Sequence, residues 1–474
     1  MSIETMYQST LDHDARNSFE NLVPSEFNVF VDSWLGEQVL AYNTLTGALM
    51  VLPNARHRAV SEILGAARVG LDIPAGLHPL AASLRRDGFL VPRGFDERAE
   101  VHRRYHEGRR TTRGLLITVA PTVACNFRCT YCFQEHPNRK MDDEDARRVR
   151  AYVNDRLEPD TSLGITWFGG EPLIGFEFIR ELAPWFETIA AERRCRVRQN
   201  IITNGLLLDD EKADFLAGLR SFDHAQITID GPAPVHDHRR PTLGGQSTFE
   251  RVLARVVAAS GRIRFNIRVN VDRTNCGELE ALVTALEEAG LRNRGYPYLG
   301  HTTAYTDVCA GVADTTLTRE EFAQVDVAFR LHLLLRGWRG VAPLPKPQGG
   351  PICVTDHPNG IVLSPGGLAF RCWNDTALPP EQSFIRLTEL GRLVTSPGGD
   401  GWGEWNPFTH KPCRTCRAQP LCRGGCPSEA RKNTEAEPGN CVTSRFVLAD
   451  QLRLHHLEQA LNRGVEVYAD EACQ

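Results

Sequence analysis

Hydrophobic and polar positions change rhythm three times along the chain. Residues 27–33, 38–43 and 47–52 read as short strands, separated by the turn-rich Leu35-Gly36 and Asn43-Thr44-Leu45-Thr46-Gly47. Helical spacing follows over about 54–67 and 78–87, and Phe89-Leu90-Val91 reads as a further strand. These elements predict a small α+β unit of winged-helix type. The apolar rhythm then stops. Residues 95–113, from Asp96-Glu97-Arg98 through Arg109-Arg110 to Arg113, are densely charged and predict a solvated helix or linker at a domain boundary.

From 114 the rhythm is regular. Leu115-Leu116-Ile117-Thr118-Val119 predicts a strand, and 142–157 a helix opened by Asp142 and Asp143. Strand and helix then alternate: 163–168 with 173–193, 196–203 with 209–220, 224–230 with 247–260, 263–272 with 277–290, and about 294–299 with 318–337. Six such units predict a parallel sheet, since each connection carries a helix. A strand sandwiched between two helical layers is apolar on both faces. Here Arg264-Phe265-Asn266-Ile267-Arg268-Val269-Asn270-Val271-Asp272 alternates strictly, as does His224-Ala225-Gln226-Ile227-Thr228-Ile229-Asp230. One polar face per strand predicts an open, partial (β/α)6 barrel of the α/β class. Its apolar side chains lie outward under helices, its polar side chains line a wide lumen, and chemistry sits at the carboxyl ends of the strands. Past 340 the pattern dissolves into Pro, Gly and Cys, and a closing helix runs over about 443–462. The expected divisions are 1–95, a linker at 96–113, the barrel at 114–340, a cysteine-rich module at 341–445, and a helix with tail at 446–474.

Composition narrows the classes. With 42% hydrophobic and 24% charged residues the chain has material for sizeable cores, which excludes a disordered reading. The net charge of −5 and the absence of a basic recognition face on the first unit argue against a nucleic-acid partner. No apolar run approaches the about 18 residues of a membrane span. The start, Met-Ser-Ile-Glu-Thr, lacks a signal-peptide pattern, so a cytoplasmic location without membrane partners is expected.

The 14 cysteines change the picture most. Three fall within 125–132 and seven within 353–441, leaving Cys195, Cys276, Cys309 and Cys473 scattered. Clustering in a reducing compartment favours metal over disulfides. Cys195 and Cys276 are expected as packed thiols and Cys473 as part of the tail. Cys125, Cys129 and Cys132 form a C-x3-C-x2-C loop directly after the first barrel strand. Three thiolates can hold three irons of a [4Fe–4S] cluster and leave the fourth open to a ligand. A zinc site with His136 as fourth ligand is the alternative.

With Tyr131 before its third cysteine, this loop resembles the cluster motif of the radical SAM superfamily, and the resemblance extends over the barrel. The second strand ends in Gly169-Gly170-Glu171-Pro172 and the third in Thr203-Asn204-Gly205. The fourth ends in Thr228-Ile229-Asp230-Gly231, followed by His236-Asp237-His238-Arg239-Arg240. The resemblance implies S-adenosylmethionine as cofactor, split by an electron from the cluster into methionine and a 5′-deoxyadenosyl radical that abstracts hydrogen from substrate. It implies that Gly169, Gly170 and Glu171 receive the methionine amino group, that Thr228 and Asp230 meet ribose hydroxyls, and that Arg239 or Arg268 meets the carboxylate. Asn204 joins this cofactor-binding set. No residue is singled out as catalytic base.

The C-terminal cysteines run Cys353, Cys372, Cys413-x2-Cys416-x5-Cys422-x3-Cys426 and Cys441. This resembles the SPASM domain of radical SAM enzymes that mostly modify peptides. It implies two auxiliary [4Fe–4S] clusters and so three in all, with Cys413, Cys416, Cys422 and Cys441 on one and Cys353, Cys372 and Cys426 on the other. The inner cluster is left with an open iron, or with Cys309 as fourth ligand. Zinc ribbons are the alternative. The first unit resembles those with which peptide maturases add a leader peptide as a strand to a sheet edge, a purely structural cap being the other reading. The resemblance implies a maturase that cross-links a ribosomally made precursor peptide, by a thioether or another bond, with a reducing donor such as flavodoxin or ferredoxin. Anaerobic sulfatase-maturating enzymes, which form formylglycine, are the competing subfamily. They place an Asp directly after the cysteine matching Cys372, where this chain has Trp373, with Asp375 two further on. A non-enzymatic metal-binding adaptor is the third reading.

Overall fold

The computed structural model describes residues 19–376, 378, 381, 383, 385–395, 402, 406–408, 411–430 and 441–465. Residues 1–18 of the expected first unit, and Cys473 with the rest of the expected tail, lie outside them.

Strands β1 (Leu22–Pro24), β2 (Asn28–Asp32), β3 (Gln38–Asn43) and β4 (Leu49–Pro53) precede helices α1 (Asn54–Val69) and α2 (His78–Arg86) and strand β5 (Leu90–Pro92). β1 and β5 pair antiparallel, and β2, β3 and β4 form an antiparallel meander. The helically spaced Val60, Ile63, Leu64 and Ala67 of α1 share one core with Leu52, Leu84 and Phe89. Asn43, fully buried, satisfies both ends of its amide: Nδ2 donates to Asn28 Oδ1 and Gly88 O at 2.9 Å, and Oδ1 accepts from Leu45 N at 3.0 Å.

The charged segment after this unit is more than a solvated linker. Helix α3 (Glu97–Thr111), capped by Asp96, buries Glu97, Val101 and Tyr105. Val101 and Tyr105, four residues apart and so on one helix face, pack with Phe27, Leu45 and Phe408. Two apolar residues in a charged run are too few to give a visible period, which is why the sequence reads as solvated.

Strands β6 (Leu115–Val119), β7 (Ser162–Trp167), β8 (Arg196–Thr203), β9 (Phe222–Thr228), β10 (Phe265–Val271) and β11 (Gly295–His301) pair in chain order, all parallel. Their helices are α4 (Asp143–Arg156), α5 (Phe176–Glu192), α6 (Asp210–Gly218), α7 (Ala233–Arg239), α8 (Phe249–Ala259), α9 (Leu279–Glu288) and α10 (Arg319–Leu335). The alternation in β10 has the meaning read from the sequence. Phe265, Ile267, Val269 and Val271 are buried with Leu282 and Leu286 of α9, and Asn266, Arg268 and Asn270 are partly exposed on the opposite face. The fold is the expected α/β partial barrel.

The cysteine-rich region contributes strands that the sequence did not disclose. β12 (Gly360–Ser364) lies parallel to β6, from Gly360 beside Leu116 to Leu363 beside Val119, and all five of its residues are buried. β13 (Leu368–Phe370), β14 (Ile385–Leu387) and β15 (Leu393–Thr395) continue the sheet antiparallel. Helix α11 (Ser444–Asn462) returns to this body, where Glu458 accepts from Val341 N at 3.0 Å and Ala342 N at 3.2 Å. Among the described residues no helix is long and apolar enough to cross a membrane.

Candidate functional site

The loop after β6 carries Cys125, Cys129 and Cys132 to the carboxyl ends of the barrel strands, where all three line one cavity of about 290 Å³. Larger hollows, of about 430 Å³ beside Phe176 and about 710 Å³ beside Leu71, have no cysteine in their walls. Chemistry therefore marks the site, not size. Residues 239–243 run antiparallel along the loop and hold it: Thr130 N donates to Arg239 O and Arg128 N to Pro241 O, both at 2.9 Å, and Leu243 N donates to Asn126 O at 2.8 Å.

Gly169 and Gly170 are in the wall, and both are needed for close approach. Gly169 has φ +124°, and a Cβ there would lie 2.2 Å from Thr122 O; a Cβ on Gly170 would lie 2.4 Å from Ala124 O. The end of β7 thereby rests on the cysteine loop, tied by Gly170 N to Thr122 O at 3.1 Å and Glu171 N to Ala124 O at 2.9 Å.

Asn204, Thr228 and Arg268 also line the cavity, whereas Glu171, Asp230 and Arg239 stand behind its wall. Glu171 is fully buried; its carboxylate accepts from Thr203 Oγ1 at 2.6 Å, Asn204 N at 2.8 Å and Leu173 N at 3.0 Å. Burial pushes its carboxyl above the usual range, and those three donors oppose the shift. It joins the ends of β7 and β8 and orients Asn204, which donates to Asn126 Oδ1 at 2.7 Å. Asp230 accepts from the Tyr131 hydroxyl and from Asn270 N, the latter at 2.8 Å. Arg239 spends its donors on Asp272 Oδ2 and Thr274 Oγ1, both at 2.8 Å. The sequence reading places these three in the cofactor-binding set; in the structure none of them is in the cavity lining, and each is bonded to residues around it.

Sequence reasoning missed Arg240, which lines the cavity in place of its neighbour Arg239. The signal was a pair of adjacent arginines, and only the phase of the chain leaving α7 decides which one faces inward. Gln226 and Asn270, also in the wall, sit on the polar faces of β9 and β10 and were within reach of the alternation argument. Trp373 and Asn374 close the cavity from the C-terminal module. Trp373 stacks on Phe168 at 5.3 Å and donates from Nε1 to Thr118 Oγ1 at 2.8 Å, whereas Asp375 is not part of the lining.

Burial pushes the Cys125 thiol up to about 12 and Cys129 up to about 11; Arg240 is the strongest influence pulling Cys129 back. Such thiols stay neutral unless a cation replaces the proton, as thiolate ligation of iron does. His136 Nε2 lies 3.3 Å from Cys132 Sγ. Yet among the described residues no three His, Cys, Asp or Glu side chains converge as one metal ion requires. Ligands of a [4Fe–4S] cluster are each bound to a separate iron and so stand apart.

The seven C-terminal cysteines fall into two neighbouring groups. Burial raises Cys413 and Cys422, and each is also raised by its neighbour Cys441; Cys416 acts on Cys413 in the same direction. Arg445 donates to Cys441 Sγ at 3.2 Å. Burial likewise raises Cys372 and Cys426; Cys426 acts on Cys372, and Cys353 on Cys426. Cys309, buried at the start of a short helical stretch, acts instead on Cys132, beside the first loop. Cys195 and Cys276 donate to nearby carbonyls, Glu158 O at 3.2 Å and Arg273 O at 3.8 Å.

Residues 119–286 match the family model of the radical SAM superfamily. PqqA peptide cyclase of Gluconobacter oxydans is 24% identical over 363 residues, covering 73% of this chain and 93% of that protein. The serine-type anaerobic sulfatase-maturating enzyme of Bacteroides thetaiotaomicron is 31% identical over 153 residues, 29% of this chain and 35% of that one. An uncharacterized protein of Methanocaldococcus jannaschii is 27% identical over 179 residues, and the chain spans 60% of its length. Among solved structures, native anSMEcpe with bound AdoMet and a peptide superposes with a TM-score of 0.55 at 19% identity, over 73% of this chain and 99% of that one, a likeness of fold. The barrel carries both the family match and the cysteine loop at its strand ends: residues 119–286 are a radical SAM domain.

Proposed function

We propose that this chain is a radical SAM peptide maturase that forms a cross-link, thioether or other, in a ribosomally made precursor peptide. The observation that carries the reading is the joint placement of Cys125, Cys129 and Cys132 in one cavity wall with Gly169, Gly170, Asn204, Thr228 and Arg268. The three thiolates would hold a [4Fe–4S] cluster and the rest of the wall S-adenosylmethionine; bound there, the pair supplies one-electron chemistry and hydrogen-atom abstraction. The chain's own residues prepare that site. Gly169 and Gly170 let the end of β7 lie against the loop carbonyls of Thr122 and Ala124, and Asn204 is oriented from behind by Glu171. Arg268, held by Asn270 Oδ1 at 2.7 Å, offers a cation for the methionine carboxylate. The Trp373–Phe168 stack covers the cavity and limits water.

The two C-terminal groups, Cys413, Cys416, Cys422 and Cys441, and Cys353, Cys372 and Cys426, would hold auxiliary [4Fe–4S] clusters, fed by a flavodoxin- or ferredoxin-like donor. Cys309 belongs near the first loop in this reading, so the inner auxiliary cluster keeps an open iron. The first unit would receive the leader of the precursor peptide. Likeness to PqqA peptide cyclase over most of both chains supports peptide chemistry, and a tryptophan in place of an aspartate after Cys372 favours cross-linking over formylglycine formation. The test is anaerobic co-expression with a leader-bearing peptide, read by mass spectrometry. A loss of two hydrogens per link with retained sulfur is expected. An aldehyde at Cys or Ser, or an unchanged mass, rejects cross-linking.

A further inference from the structure

Arg240 is a buried cation whose charge the protein does not balance in the usual way. It is 6% exposed, and its Nε has no hydrogen-bond partner among the described residues. Its neighbour Arg239 takes the acidic partners: it lies 2.8 Å from Asp272 and 3.7 Å from Asp230, while no carboxylate stands within ion-pair distance of Arg240 among the described residues. What Arg240 does touch belongs to the cysteine loop. It donates to the Tyr131 hydroxyl and lies over the Phe127 ring at 5.6 Å, and it shares the cavity wall with Cys129. A guanidinium out of water needs an anion, and carboxylates are the ordinary choice. Here no carboxylate among the described residues pairs with it, and the cysteine loop lies against it instead.

We propose that Arg240 is the counter-charge of the cluster held by Cys125, Cys129 and Cys132, a positioning residue whose guanidinium favours the reduced cluster. This rests on the function proposed above. Reduction adds a negative charge beside a fixed positive one, so the guanidinium makes the electron easier to add. Arg268, on β10 and in the same cavity wall, is then the cation left for the cofactor carboxylate.

The experiment is a redox titration of the reconstituted holoenzyme followed by electron paramagnetic resonance. The cluster concerned is identified as the one whose signal changes when S-adenosylmethionine is added. For Arg240→Gln we expect at least a tenfold lower reduced-to-oxidised ratio at fixed poise, about 59 mV to more negative potential for a one-electron couple. Arg240→Lys, which keeps the charge, restores most of it. Arg268→Gln weakens cofactor binding and leaves the potential in place. If Arg240→Gln assembles no cluster, iron retention decides: recovery in Arg240→Lys supports the proposal, and equal loss in both overturns it. A potential equal to wild type in Arg240→Gln, or an equal fall in both variants, also overturns it. A wild-type chain without a cofactor-responsive signal overturns the underlying function as well, which separates the two failures.

Discussion

The Glu171 carboxylate meets three donors, Thr203 Oγ1, Asn204 N and Leu173 N, and it has no donor of its own to offer. In Glu171→Gln either placement of the amide turns an N–H toward another N–H, so one buried donor is orphaned. The expected cost is about 1–3 kcal/mol of stability, with a loss of cofactor affinity through Asn204, checked by thermal unfolding and ligand titration; equal melting and equal affinity would contradict the role. His301 is the residue for which pH is informative. Its Nε2 donates to Leu317 O at 2.7 Å, and burial, then the Arg319 charge, hold it down to about 4. The folded-state value is depressed, so the unfolded chain binds this proton first. The site is neutral in its effect above about 6.5 and weakens the fold progressively from there to about 4, by up to about 3 kcal/mol. His301→Gln should flatten that part of the stability profile, measured as wild type minus variant by denaturant titration between pH 4 and pH 7. The cysteines were legible in the sequence because their spacing is itself the signal. Which of Arg239 and Arg240 faces the cavity was not, because adjacent residues on a chain leaving a helix differ only in phase.

At the scale of elements, β9 and β10 disclosed the barrel because one face of each must satisfy polar side chains while the other lies under helices. β12 stayed hidden: five buried residues flanked by Pro and Gly carry no alternation, since both faces are covered. Helix α3 was misjudged for the opposite reason, its charge masking the one face that packs. That face reaches the cysteine modules. Tyr105 donates to the buried Asp356 Oδ1 at 2.6 Å, Asp356 accepts from Ile352 N at 3.1 Å beside Cys353, and Arg98 donates to Cys416 O at 3.1 Å. Tyr105→Phe removes a donor from a buried carboxylate. It should lower stability by about 1–3 kcal/mol and reduce iron retention at the Cys353 group while the first loop keeps its cluster. Unchanged iron content would show that α3 is a spacer and not a support.

Across the whole molecule the first unit is docked on the C-terminal module and not tethered loosely to it. Thr44 Oγ1 donates to Arg417 O at 2.6 Å, Ser33 Oγ lies 2.9 Å from His456 Nδ1, and Phe27 and Leu45 share a core with α3 and Phe408. Cutting that unit away would bare this core, so the proposed leader binding is better probed in the intact chain. The proposed function predicts about twelve irons per chain, four for each of three clusters; Cys413→Ala with Cys422→Ala should then remove about four and leave the first loop's cluster, by iron and sulfide analysis. A total near four in the reconstituted wild type would remove the auxiliary clusters from the account. The central claim, that the loop of Cys125, Cys129 and Cys132 drives radical chemistry, is tested most directly by the production of 5′-deoxyadenosine from S-adenosylmethionine under reducing, anaerobic conditions. The wild-type chain should form it, and the variant with all three cysteines changed to Ala should form none. Equal formation by both, or none by an iron-replete wild type, would contradict the claim.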